Sequence, residues 1–408
     1  MRELPDGWRW VRLADVASAG GKYGSGEAAI DYDPSLPRYV RITDIEADGR
    51  LSREKRASIK AAAAKPYILK KGDLLFARSG ATVGKTYLYQ DADGVCAHAG
   101  YVIKFVIDDS LALPAYVAHW TQGSHYWRWI NSTLRQGAQP NINATEYGNH
   151  RLPLPTIPEQ RRIAEILDTL DSHVALIDLA VEKVRRRSQG LVESLLSNVS
   201  AEESPLGKFL MKSPKNGYSP KEVDEWTGFL AIGLGCLTTD GFKPRQLKNI
   251  RKSDLRGSAA VLQDGDLLIS RANTRDLVGL AGRYQDVGFP CIYPDLLMKL
   301  TVNQRCGVDF LELVLRSASS RRQIQAMAQG TSESMVKING STVTKLLVRV
   351  PDRPEQERIL RLTDASKRSI RDEQQQREKL LLLKKGLMED LLAGRVRVSE
   401  AEAVLEEL

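Results

Sequence analysis

After Pro158 the apolar residues recur at alternating four- and three-residue intervals, at Ile163, Leu167, Leu170, Val174, Ile177, Val181 and Val184. That spacing lays a single apolar stripe along a helix and predicts a coiled-coil seam. Pro158 with Glu159 makes a good helix start: proline suits the first turn, and a carboxylate there faces the positive end of the helix dipole. No glycine or proline interrupts positions 159–189, and Leu191 and Leu195 carry the stripe toward a turn-rich segment at 200–205. At about 1.5 Å per residue, some 40 residues form a rod of roughly 60 Å, more than a small domain needs for its own core. A second such helix is predicted from Pro354 to about Leu392, on Ile359, Leu362, Ile370, Leu380, Leu387 and Leu391, with a polar middle at 371–379. Each stripe needs a partner, so the two helices are expected to pair antiparallel.

Outside the helices the pattern changes period. Short β-rich runs at 38–43, 73–77, 86–89 and 100–106 lie between Gly, Asp, Asn and Pro clusters, as in a mixed sheet with long loops, and helical stretches are predicted at 114–133 and 308–329. The chain then repeats itself. Gly72-Asp73-Leu74-Leu75 through Arg78 returns as Gly265-Asp266-Leu267-Leu268 through Arg271, 193 residues later, and each block runs through a glycine-bearing loop to a tyrosine and an aspartate, Tyr87 to Asp91 and Tyr284 to Asp286. Gln136-Gly137 is answered by Gln329-Gly330, and Leu13 by Leu206, at the same offset. Ile142-Asn143 is answered by Ile338-Asn339, and Pro155 and Pro158-Glu159-Gln160 by Pro351 and Pro354-Glu355-Gln356, 196 residues later. A lone G-D-L-L is only a turn and a buried strand, whereas ordered matches at a near-constant offset indicate a duplicated domain. The fold class expected is α+β: two mixed α/β domains, 1–155 and 201–351, with long helices at 156–200 and 352–394, pseudo-two-fold symmetry and a tail at 395–408.

Composition narrows the function. The 408 residues are 42% hydrophobic and 27% charged, with a net charge of +8 that favours an acidic partner such as nucleic acid. Cys96, Cys236, Cys291 and Cys306 form no C-x-x-C pair, which argues against a zinc ribbon or a disulfide scaffold. The opening residues lack an apolar signal core, and no run of about 18 uncharged apolar residues occurs, so a cytoplasmic location is expected.

Known catalytic motifs find no footing. Gly80 to Thr86 resembles a phosphate-binding loop, but the first glycine of that motif would fall at Ser79, and the second copy keeps neither the lysine nor the threonine. His98, His119, His125, His150 and His173 have no metal-ligand spacing, no G-x-S-x-G or G-x-G-x-x-G motif occurs, and Asn141-Ile142-Asn143 lacks the Asn-Pro-Pro-aromatic run of an amino-methyltransferase. No catalytic, metal or cofactor residue is therefore assigned. What remains is polar side chains on loops: Arg78, Ser79, Thr82 and Lys85 with Gln136, Gln139, Asn141 and Asn143 in the first copy, and Arg271, Asn273, Thr274 and Arg275 with Ser332, Lys337 and Asn339 in the second. Arginine can grip guanine and Asn or Gln adenine, while Lys, Ser and Thr suit phosphates. The copies differ most in these loops and agree in the framework around them, as two readers of different sequences should.

With these features the chain resembles the specificity subunit of a Type I restriction-modification system, from Trp8, Val11 and Leu13 through Gly386, Leu391 and Gly394. The resemblance implies two target-recognition domains, each reading half of a split DNA target, with the helix pair setting the gap. It implies two methyltransferase subunits binding S-adenosylmethionine and an ATP- and Mg-dependent translocating nuclease subunit as partners, with no cofactor in this chain itself. Partner docking is expected at the helices and their starts, at Pro155, Pro158, Gln160 and Ile163 and at Pro351, Pro354, Gln356 and Ile359. Two departures stand out: Asp352-Arg353 replaces Thr156-Ile157, and the Gln-Gly to Ile-Asn loop is three residues longer in the second copy. Two other readings remain open on the residues alone: a DNA-modifying enzyme with an unrecognised active site, and a coiled-coil scaffold that never touches DNA.

Overall fold

The computed structural model describes residues 4–134, 140–255, 259–330 and 335–406. Two long helices dominate it, Ile157–Ser197 and Arg353–Leu392. By compactness the chain falls into two units, one of Met1–Asp178 with Gln375–Leu408 and the other of Leu179–Gln374. Each long helix is therefore shared between units, a division that the domain boundaries drawn from the sequence do not make.

The first unit is built around a four-stranded antiparallel sheet in the order Lys22–Tyr23, Val102–Val106, Asp73–Ala77, Thr86–Leu88. The second unit has the same sheet in the same order, with Lys215–Asn216, Leu297–Leu300, Leu267–Ser270 and Ala281–Arg283. Beside each sheet lies a parallel pairing, Arg38–Val40 with Cys96–His98 in one unit and Leu230–Ile232 with Cys291–Ile292 in the other. Each unit also closes its ends alike. Arg9–Arg12 pairs with Arg151–Leu154, and Glu203–Pro205 with Leu347–Arg349, so the strand before each long helix is tied to the start of its own domain.

Matching constraints hold the two sheets. Asp73 accepts from Lys104 at 2.9 Å and from the Lys70 amide, and Asp266 accepts from Lys299 at 3.0 Å and from the Gln263 amide. Gly72 and Gly265 take φ values of +89° and +87°, a turn conformation that costs a side-chain-bearing residue energy and explains the glycine of the repeated G-D-L-L block. Gly24 and Gly217 are needed for another reason: a Cβ there would sit 2.2 Å from the His98 carbonyl and 2.0 Å from that of Tyr293. Tyr284 aligns with Tyr89 rather than Tyr87, since the amides of Tyr89 and Tyr284 donate to the carbonyls of Asp73 and Asp266 respectively.

The helical stretches read from the sequence as single pieces are each two helices, Pro114–Trp120 with Ser124–Thr133 and Val308–Arg316 with Ala318–Met327. Side-chain hydroxyls end the first of each pair: Thr121 Oγ1 donates to the Ala118 carbonyl and Ser317 Oγ to that of Val314, both at 2.7 Å. Hydroxyls that bond locally to backbone compete with continued helix.

Along the first long helix Ile163, Leu167, Leu170, Val174, Ile177 and Val181 are buried, as the stripe predicts, while Val184 is half-buried. On the second, Leu362 is exposed and Thr363 is buried in its place. Ile359, Thr363, Leu380, Lys384, Leu387 and Leu391 are buried along it, whereas no residue of the polar middle at 371–379 is buried. Lys384 meets Asp171 at 2.6 Å and Arg377 meets Asp178 at 2.6 Å. Seven residues forward on one helix match seven back on the other, which makes the pair antiparallel. In the second unit Val192, Leu195 and Leu196 pack on the core that contains Ile359.

Candidate nucleic-acid interface

Two polar clusters far apart in the sequence meet at one surface in each unit. In the first, the Arg78 amide donates to the Tyr101 carbonyl, the Ile142 amide donates to the Arg78 carbonyl, and Ser79 bridges Asn141. In the second, the Arg271 amide donates to the Leu296 carbonyl, the Ile338 amide donates to the Arg271 carbonyl, and Ala272 pairs with Lys337. The strand end after G-D-L-L is thus stitched to the Ile-Asn segment by the same bonds twice.

The side chains on that shared backbone divide into two groups. Arg78 lies 4.8 Å over the Tyr23 ring and donates through Nε to Asn141 Oδ1 at 3.2 Å, which fixes its guanidinium plane. Arg271, half-buried, has no side-chain partner among the described residues. Thr274, Lys337 and Asn141 are exposed, and Thr82 and Asn273 are half-buried, with Asn273 Oδ1 accepting from the Thr274 amide. Gln136, Gln139 and Ser332 lie outside the described residues.

Several residues expected to face a ligand have internal roles instead. Ser79 is buried. Lys85 Nζ donates to the Ile45 carbonyl at 3.1 Å, and Arg275 donates to that of Gln325 at 2.9 Å. Asn143 and Asn339 cap short helices, their side chains accepting from the amides of Glu146 and Thr342 at 2.9 and 2.8 Å. Such caps contribute about 1 kcal/mol each, a structural reason for the repeated Ile-Asn. Tyr23 and Tyr101, both exposed beside Arg78, were missed, because a tyrosine in a β-rich run reads as core. Their counterparts by register are Asn216 and Leu296. Framework positions therefore keep their residues, as in Lys22 and Lys215, Asp73 and Asp266, and Lys104 and Lys299, while positions at the surface change.

A DNA specificity domain of Type I restriction modification is the family model that matches residues 5–183. The specificity subunit of the EcoKI Type I restriction enzyme from Escherichia coli K12 is 24% identical over 384 residues, covering 88% of this chain and 82% of that protein. That of MjaVIII from Methanocaldococcus jannaschii is 20% identical over 425 residues, covering 97% and 94%. Residues 5–183 are similar to that DNA specificity domain, and most of the chain is similar to Type I specificity subunits. Among solved structures, a chain of a type I R-M system matches with a TM-score of 0.59 at 17% identity, covering 97% of this chain and 100% of that one. The S subunit of M. genitalium matches with a TM-score of 0.52 at 14% identity, covering 96% and 98%.

Most of the residues expected to dock partners are buried. Gln160 and Gln356 are 1% exposed; each carboxamide donates to the carbonyl of Pro155 or Pro351 and accepts from the amide of Leu113 or Gly307, clamping the long helix to the domain behind it. Ile163 and Ile359 are buried, as are Pro155 and Pro351, so only Pro158 and Pro354 of that set face outward. The P-E-Q motif is a clamp, and its glutamine is retained for an internal bond.

Among the described residues His119, Asp168 and Asp171 form a group with metal-ligand geometry. His119 Nε2 already meets Asp168 at 2.8 Å and the Lys384 ammonium sits on Asp171, so these groups already have partners on neighbouring helices. No helix among the described residues is long and apolar enough to cross a membrane.

Proposed function

We propose that the chain reads DNA without catalysing any reaction: each unit recognises one half of a two-part duplex target, and outward faces of the long helices hold two methyltransferase subunits, to which a translocating nuclease subunit adds. One observation supports this most: two units with the same stitched framework carry different side chains at equivalent surface positions, Tyr23 against Asn216, Tyr101 against Leu296 and Asn141 against Lys337. A scaffold has no need to diversify there, whereas a reader of two half-sites does. The shared Arg78 and Arg271 suit bidentate contact with guanine or phosphate, and the net charge of +8 suits a polyanion. S-adenosylmethionine, ATP and Mg belong to the partners.

The test is adenine methylation of a duplex library by the chain assembled with its methyltransferase. Arg271→Ala is expected to relax or abolish discrimination in one half-site only, by about 1–3 kcal/mol if a bidentate base contact is lost, and Arg78→Ala in the other. Unchanged discrimination in both variants would remove these surfaces from the reading.

A further inference from the structure

The first unit holds Arg78 on two sides. Strand Lys22–Tyr23 pairs with Ile103 and Lys104, which fixes the backbone of Tyr23, and the Tyr23 hydroxyl accepts from the Ala144 amide at 3.2 Å. The ring is therefore pinned at both ends, although 43% of the residue is exposed. Arg78 lies over that ring at 4.8 Å, and Asn141 Oδ1 accepts from its Nε at 3.2 Å. Asn141 and Ala144 flank the Ile142-Asn143 pair, whose backbone bond to Arg78 and helix cap set them in place.

A guanidinium free on all sides can offer either its Nε edge or its terminal edge to a pair of acceptors. With one face against a ring and Nε taken, the terminal pair Nη1 and Nη2 is what remains, and neither has a partner among the described residues. Two parallel donors match O6 and N7 of guanine, the base edge of the major groove that presents two adjacent acceptors. Holding the plane before binding also spares the rotamer freedom that a loose arginine would lose. In the second unit Asn216 stands at the register of Tyr23 and Lys337 at that of Asn141. Asn216 has no ring and Lys337 no acceptor, so the same clamp cannot form on Arg271. We propose that Tyr23 and Asn141 are positioning residues that hold Arg78 to read one guanine in the half-site taken by the first unit, by a device the second unit lacks.

This inference rests on the reading of each unit as the reader of a half-site, and methylation of a duplex library by the full chain assembled with its methyltransferase separates the two. Wild type is expected to require one G·C pair in the half-site that changes when residues 1–150 are exchanged. Tyr23→Leu and Asn141→Ala are each expected to lower the preference for that pair about tenfold, with every other position and the second half-site as in wild type. Tyr23→Phe keeps the ring and is expected to keep most of the preference. Replacing the guanine by 7-deazaguanine, which lacks N7, is expected to cost wild type about tenfold and Tyr23→Leu much less, since both changes remove the same contact. The second half-site shows in the same assay that a variant is folded, and Asn141 is exposed, so its variant stands should Tyr23→Leu not fold. A first half-site with no required G·C pair, or a preference that survives both Tyr23→Leu and Asn141→Ala, would overturn the inference and leave the two-part reading intact. A loss spread evenly over all sequences, with a shallower salt dependence, would assign Arg78 to a phosphate and overturn it as well. A wild-type complex that methylates without any two-part preference would overturn that reading and the inference together.

Discussion

His150 sits in a box of rings, 4.3 Å from Trp129 and 5.3 Å from Tyr126 between centroids, and its Nε2 accepts from the Trp120 indole at 2.9 Å. Accepting that bond requires the neutral ring, and burial lowers its pKa from 6.5 to about 4. Between those values the unfolded chain binds a proton that the folded one does not. Stability from this residue is therefore complete above pH 6.5 and falls by about 3 kcal/mol as the pH drops to 4. Urea unfolding across that window is expected to be less steep in pH for His150→Gln; an unchanged slope would mean the ring titrates as freely as in the unfolded chain. Gly24 and Gly217 offer a second residue-scale check, since a methyl at either overlaps a backbone carbonyl, that of His98 or of Tyr293. Gly24→Ala is expected to lower the thermal midpoint well beyond Gly26→Ala, where nothing lies within 4 Å. Neither glycine's role was legible in the sequence, because close approach is made by segments about 75 residues apart. The histidine was legible only as lacking metal-ligand spacing. The asparagines of Ile-Asn illustrate the same limit from the other side: their repetition was visible, but a helix cap and a base contact use the same side chain.

At the scale of elements the long helices were the most legible part, because a stripe of period 3.5 sustained over many turns fits a paired helix and little else. The polar middle of the second helix was legible too, but the apolar count cannot see the ion pairs that Arg377 and Lys384 make across the pair. Lys384 is nearly buried against Asp171, whereas Arg377 and Asp178 are more than a third exposed. Lys384→Ala is therefore expected to cost between the about 1 kcal/mol of a surface pair and the about 3 of a buried one, and Arg377→Ala less than about 1. Chemical denaturation of the two variants checks the order; equal losses would place Lys384 at the surface of the pair. The breaks at Thr121 and Ser317 escaped the sequence reading because threonine and serine are tolerated inside helices and end them only when their hydroxyls turn to the preceding carbonyl.

For the whole molecule the duplication was readable from offsets of 193 and 196, and the structure repeats it in strand order, half-buried ion pairs and backbone stitching. What the offsets left out was the division of each helix between units, which follows from contacts across the helix pair rather than along the chain. The candidate recognition surfaces were legible as loops but not as surfaces, because the joining of Arg78 to Ile142 and of Arg271 to Ile338 is long-range backbone bonding. The most direct test of a two-part reader is a map of methylated adenines in a genome where the chain is expressed with its methyltransferase. A two-part motif with a fixed gap is expected, and exchanging residues 1–150 or 205–345 for those of a relative should change one half of it and leave the other. A motif that changes in both halves at once, or no new methylation from a complex that assembles, would contradict the account.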